Sequence, residues 1–270
     1  MALVLQISDT HLRAEPHTPA ARDPDAALAA SLDSVRNVVP DLVLLTGDLS
    51  DDGSVLALRR LQALVEAFDA PVLAVAGNHD DAATTRHVFG DRAEVEVGAW
   101  RVLAVETLLP NVNHGAVDVD DLTRRLDAAD DRPTIIAMHH PPRSPSTHRW
   151  FDLIGSESLL DALHVRANVR AIVSGHLHEA FRYHVDGIEL CGAPSTYYAI
   201  EHTGDSYELV ADGLVGTQLL TLDDARREID EIDLRILSLL EQRFNASRLI
   251  RQIKAQETRT SPGSPARTSR

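Results

Sequence analysis

The stretch Pro71 to Asp81, PVLAVAGNHDD, decides how this chain is read. Its run of small and β-branched apolar residues, Val72 to Ala76, has the length and composition of a short buried strand. Gly77 then releases the backbone into a turn that carries Asn78, His79 and Asp80. Polar side chains grouped just past a strand's carboxyl end stand where parallel α/β sheets keep their chemistry.

Toward the N-terminus, Leu3 to Ile7 is an apolar strand ending in Ser8-Asp9-Thr10-His11. If its backbone stays extended, Asp9 and His11 point to the same side and can grip one ion. Helical spacing follows over Ala27 to Val39, then a strand from Leu42 to Thr46 ends in Gly47-Asp48, and helical spacing returns from Gly53 to Phe68. The order is β-α-β-α-β. Toward the C-terminus, Val95 to Val97 and Arg101 to Val105 read as antiparallel strands, and the loop Pro110 to Gly115 carries His114. Asp118 to Ala129 is a charged helix, and the strand Thr134 to Met138 runs into His139-His140-Pro141-Pro142. The loop after it, RSPSTHRWFDL, has the composition of a segment that shapes a pocket. Ala171 to Ser174 ends in Gly175-His176-Leu177-His178, and Phe181 to Val185, Ile188 to Cys191 and Tyr207 to Val210 read as strands of a second sheet layer.

With 270 residues, 44% of them hydrophobic, the chain can bury a sizeable core and carry an appendage. A formal charge of −15 argues against a nucleic-acid polymer or an anionic membrane as the main partner, whereas metal cations offset part of it. One cysteine, Cys191, excludes an intrachain disulfide and a multi-thiolate zinc site. Without a basic, apolar leader or a long apolar run, the sequence is expected to be soluble and cytoplasmic.

Asp9, His11, Asp48, Asn78, His139, His176 and His178 supply two carboxylates, one amide oxygen and four imidazoles, each just past an apolar strand. A single histidine in such a place is more often packed or capping than ligating. Packing does not explain five strand ends that read D-x-H, G-D, G-N-H-D, H-H-P and G-H-x-H. Seven donors exceed one four-coordinate ion and suit two ions sharing a bridge, with Asp48 the choice for the bridge. Nitrogen and oxygen donors without thiolate favour Mn, Fe, Zn or Co over Ca or Mg. Two divalent ions less two carboxylates leave a net positive site, which fits a phosphate ester; such ions hold phosphoryl oxygens and activate a bridging water.

The order D-x-H, G-D, G-N-H-D, H-H-P-P, G-H-L-H resembles that of the calcineurin-like metallophosphoesterases over about residues 1 to 220. The forms GNHDD, AMHHPP and GHLH resemble class III cyclic nucleotide phosphodiesterases. The resemblance implies an α/β fold, a metallophosphoesterase β-sandwich flanked by helices. It implies that Asp9, His11, Asp48 and His178 hold one metal and Asp48, Asn78, His139 and His176 the other. It gives His79 contact with the phosphate and protonation of the leaving oxygen, a task that suits an imidazole. His140 is expected either to contact substrate or to orient its neighbour, and His114 stands where related enzymes keep a histidine near the nucleotide. Asp51 is either a carboxylate supporting the ligands or part of a solvated turn.

After a linker at residues 221–224, residues 225–257 form a separate element in this reading, followed by a disordered tail at residues 258–270. Ile229, Ile232, Ile236, Leu239, Arg243, Ala246, Ile250 and Ile253 recur three and four apart, the pattern of one long amphipathic helix with a seam to bury. It resembles the first helix of the all-helical chorismate mutases, with Arg226, Arg243 and Lys254 at that family's cationic positions. A mutase domain needs further helices, so no mutase activity is expected, and the helix is expected to support a homodimer or docking. The expected activity is hydrolysis of a small-molecule phosphodiester, 3',5'-cyclic nucleotides first. Other phosphoesters, or a role carried mainly by the C-terminal helix, are the alternatives.

Overall fold

The computed structural model describes residues 2–15, 23–210 and 213–222. The expected helix at residues 225–257 and the tail after it lie outside the described residues. Strand β1 (Ala2–Ile7), helix α1 (Pro24–Ser34), strand β2 (Leu42–Thr46), helix α2 (Val55–Val65) and strand β3 (Val72–Val75) follow in the expected order. Helix α3 (Ala82–Phe89) and strands β4 (Glu94–Val97), β5 (Trp100–Ala104) and β6 (Gly115–Ala116) come next. Then come α4 (Val119–Asp127), β7 (Thr134–Ala137), β8 (Leu153–Ile154), α5 (Ser156–His164) and β9 (Val169–Ser174). Strands β10 (Phe181–Val185), β11 (Ile188–Gly192), β12 (Ala199–Thr203), β13 (Ser206–Val210) and β14 (Gln218–Leu222) complete the described part.

Two sheets carry the core, one ordered β14-β1-β2-β3 and the other β10-β11-β9-β7-β5-β4. Alternation along the strands explains how they stack. Val4, Leu42 and Leu44 pack with Ile135, Ala137, Val173 and Cys191 between the sheets. Their neighbours Leu5, Ile7, Val43 and Leu45 turn outward onto Leu28, Leu32, Leu58 and Leu61 of α1 and α2. On the far side, Ile136, Ile172 and Leu190 meet Leu122, Leu126, Leu159 and Leu163 of α4 and α5. A buried glutamine also joins the sheets, since Gln6 Nε2 donates to Thr46 Oγ1 and to the Ser174 carbonyl, both at 3.0 Å. Side chains at the helix starts satisfy free backbone N–H groups: Ser54 accepts from Leu56 and Ala57, Asp81 from Thr84, and Asp118 from Asp121.

Two expectations need correction. The helix expected to reach Val39 ends at Ser34, and Val39 is exposed. Pro40 disfavours helical backbone in the residue before it. Strands β10 and β11 do not form a layer with β13; they extend the β9-β7-β5-β4 sheet, while β13 pairs with β12 in a separate hairpin. The five strand ends therefore come from both sheets, β1, β2 and β3 from one and β7 and β9 from the other.

Candidate metal centre

At the end of β1 the backbone is not extended: Asp9 and His11 have φ of 52° and 47°. Asp48, His176 and His178 are left-handed too, at 48°, 69° and 52°. Five of the seven expected ligands thus sit where a side chain costs on the order of 1–2 kcal/mol, and such strain concentrates at functional sites. It is held by cross-links between loops. Asp9 N donates to the Gly47 carbonyl at 2.9 Å, His11 N to the Asp48 carbonyl at 3.0 Å, and His176 N to the Asp9 carboxylate at 3.1 Å. A side chain at Gly77 would strike the Asp48 backbone and carboxylate, and one at Gly175 would strike Ser8 and Asp9. Glycine is what lets the strand ends approach this closely.

The donor atoms of Asp9, His11, Asp48 and His178 all lie within 4.8 Å of one another, and the same holds for His139, His140 and His176. His139 Nε2 stands 3.2 Å from Asn78 Oδ1 and 3.5 Å from Asp48 Oδ1, so Asp48 faces both groups. Its other oxygen is 3.9 Å from His11 Nε2. All seven expected ligands are thereby brought to one place.

Each imidazole is fixed by one nitrogen. His178 Nδ1 donates to the Tyr198 carbonyl at 2.8 Å, His139 Nδ1 to the Thr46 carbonyl at 2.8 Å, and His176 Nε2 to the Trp150 carbonyl at 3.0 Å. His11 Nδ1 is held by Asp51 Oδ1 at 3.2 Å. The remaining nitrogen of each ring then carries a lone pair. For His11 and His178 these lone pairs face each other across 3.1 Å. A shared proton or a metal ion satisfies two nitrogens so close, and imidazoles oriented by carbonyls and carboxylates are suited to hold metals. His139 shows the same demand. Burial works against its charge, yet Asp48 overrides it and lifts the imidazole to about 9; a proton or a metal ion at Nε2 equally satisfies the oxygens it faces. Burial, then the nearby His140 and His139, hold His176 well below the usual range and leave it a neutral donor. Asp48 is held well below the carboxylate range by His139, despite burial that pushes the other way. The donor set fits a pair of metal ions.

His140 is different. It is buried, its Nε2 donates to the Asn113 carbonyl at 2.9 Å, and its Nδ1 accepts from Thr107 Oγ1 at 2.8 Å. With both nitrogens committed, it packs 4.4 Å from His176 and 4.8 Å from His139, an arrangement that favours the supporting role of the two expected. His114 is half-buried on the same loop, next to Asn113. His79 stays at the rim, its side chain 37% exposed, with Nδ1 3.4 Å from Asp51 Oδ1. That hydrogen bond outweighs burial and raises it to about 9. Asp51 is no solvated turn residue: it receives His11, His79 and, at 2.6 Å, Arg13, and their hydrogen bonds hold its carboxyl far below the usual range.

Sequence reasoning assigned no role to two other elements. Buried Asp80 accepts from Leu49 N, Ser50 N and Gly77 N at 3.0, 2.8 and 2.9 Å, fastening the loop of Asp48 to that of Asn78. Burial and the charge of Asp48 raise its carboxyl to about 6. Its signal was the last letter of GNHD. The segment Ser195–Tyr198 also reaches the centre, with Ser195 Oγ donating to the Asp9 carbonyl at 2.7 Å. Nothing in its composition marks it.

Comparison with known proteins agrees with this geometry. The calcineurin-like phosphoesterase family matches residues 2–180, and the chain belongs to that family, a family of hydrolases. Dimetal enzymes of this kind use two metal ions, among them Mn, Fe and Zn. The chain is 32% identical over 256 residues to the 3',5'-cyclic adenosine monophosphate phosphodiesterase CpdA of Pseudomonas aeruginosa, covering 84% of this chain and 93% of the relative. It is 32% identical over 224 residues to a cAMP/cGMP dual specificity phosphodiesterase of Mycobacterium tuberculosis, covering 74% and 69%. A dimetal phosphatase from Danio rerio shares the fold, with a TM-score of 0.60 at 14% identity over 82% of this chain and 99% of that one. No helix among the described residues is long and apolar enough to cross a membrane.

Proposed function

We propose that this hydrolase cleaves phosphodiesters, with 3',5'-cyclic nucleotides as substrates. Asp9, His11, Asp48 and His178 form one metal position and Asp48, Asn78, His139 and His176 the other. The observation that carries the reading is the convergence of donor atoms: those of Asp9, His11, Asp48 and His178 lie within 4.8 Å of one another, and His139 Nε2 stands 3.5 Å from Asp48 Oδ1. The choice of substrate is supported by the relatives named as cyclic nucleotide phosphodiesterases, which align with most of this chain. Bound there, two ions would supply Lewis-acid polarisation of the phosphoryl group and a nucleophile at neutral pH.

The chain's own residues supply the rest. Asp51 keeps His79 protonated and aimed from the rim, so its imidazole can hydrogen-bond the ester and give a proton to the leaving oxygen. Asp51 also orients His11, coupling proton donor and metal site through one carboxylate. Asp80 and the glycine turns fix the spacing between the loops. A cytoplasmic location, consistent with the single cysteine, and a homodimer through residues 225–257 belong to this proposal. So does the absence of mutase activity; truncation after Leu222 is expected to leave hydrolysis nearly unchanged and to alter the sedimentation mass. The test of substrate class is a comparison of cyclic AMP and bis-p-nitrophenyl phosphate with p-nitrophenyl phosphate. Diester hydrolysis should lead; a clear preference for the monoester would make the enzyme a phosphatase.

A further inference from the structure

Beside the Asp9, His11, Asp48 and His178 group stands a side chain with no role in the scheme above. The ring of Tyr198 lies 4.3 Å from that of His178, tilted by 45°, and 5.4 Å from that of His11, tilted by 32°. Its backbone is tied to the same centre twice. The carbonyl fixes His178 Nδ1, and the amide N donates to Ser195 Oγ at 3.3 Å, while that hydroxyl donates to the Asp9 carbonyl. The ring is half-buried, and among the described residues no hydrogen bond holds its hydroxyl. A phenolic hydroxyl bears its proton at neutral pH and can donate. A fixed ring with a free donor beside a site for an anionic ester is built to hydrogen-bond that ester.

We propose that Tyr198 is a substrate-contacting residue whose hydroxyl donates a hydrogen bond to a phosphoryl oxygen on the Asp9, His11 and His178 side of the centre. This rests on the phosphoester reading and adds a donor to it. Tyr197 makes the natural comparison. Its ring packs at 5.0 Å against Tyr198 but stands 6.3 Å from His11.

Tyr198→Phe keeps the ring against His178 and His11 and deletes only the hydroxyl, so it separates substrate contact from packing. The full-length enzyme loaded with Mn is assayed for metal content, for kcat and KM, and for inhibition by inorganic phosphate. The assay uses whichever p-nitrophenyl ester it hydrolyses best. Expected are unchanged metal content, kcat/KM lower by roughly tenfold to a hundredfold, as for loss of one hydrogen bond to a charged group, and weaker phosphate inhibition. Tyr197→Phe should change each of these less. Wild-type kinetics and phosphate affinity in Tyr198→Phe would overturn the proposal, and so would loss of metal from that variant or an equal effect of Tyr197→Phe. A preference for monoesters would overturn the substrate reading alone, because phosphate inhibition tests Tyr198 under either activity.

Discussion

The β14-β1-β2-β3 sheet brings Asp9, Asp48 and Asn78 to the centre, with His11 as its one imidazole among the expected ligands, whereas the β7 and β9 ends of the other sheet bring His139, His176 and His178 and no oxygen donor. The first half carries the carboxylates and the second only imidazole nitrogens. Their supports differ as well. Carboxylates reinforce the first half, Asp51 behind His11 and His79 and Asp80 between the loops. Backbone carbonyls and His140 reinforce the second. Neither half alone supplies all seven expected ligands, so the packing of the two sheets is itself part of the site.

The strongest test of that division is metal removal. Exhaustive chelation should bring hydrolysis to background, and added Mn should restore it; activity that survives complete stripping would mean the two halves do not converge on ions. Next in size, His79→Ala should keep both metals and lower turnover by about 10²- to 10⁴-fold, the range for a positioned acid. Metal loss from that variant would move His79 into the ligand set of the carboxylate half. Asp51→Asn should cost about 10- to 100-fold in metal affinity or turnover, and His140→Gln should cost less, since Asp51 orients two imidazoles. The reverse order would shift the weight to the imidazole half. Smallest of all, Cys191 between the sheets should barely react with iodoacetamide in the folded chain at pH 8. Burial pushes its thiol up to about 12, and only the thiolate attacks. Fast alkylation would show that the interface joining the halves opens.

Much of this centre was legible because each expected ligand follows an apolar strand directly, so local pattern and chemistry fall in the same few residues. The sheet to which each strand belongs was not legible. A short apolar run reads alike in either sheet, and pairing depends on contacts such as β11 with β9 or β1 with β14 that are distant in sequence. Helix α3 was missed because Ala82–Phe89 is short and buries only Thr85 and Val88. The left-handed backbone at Asp9 and His11 was missed because their spacing alone suggested an extended strand. Tyr198 and Gln6 act through tertiary contacts that leave no period or motif.

The most direct measurement is the number of metal ions per chain, by elemental analysis, in the wild type and in Asp48→Ala after loading in Mn. Asp48 faces His11 with one oxygen and His139 with the other, so the wild type should hold two ions and the variant should lose both, with hydrolysis lost alongside. Two ions retained in Asp48→Ala, or normal turnover in that variant, would contradict a centre bridged by Asp48.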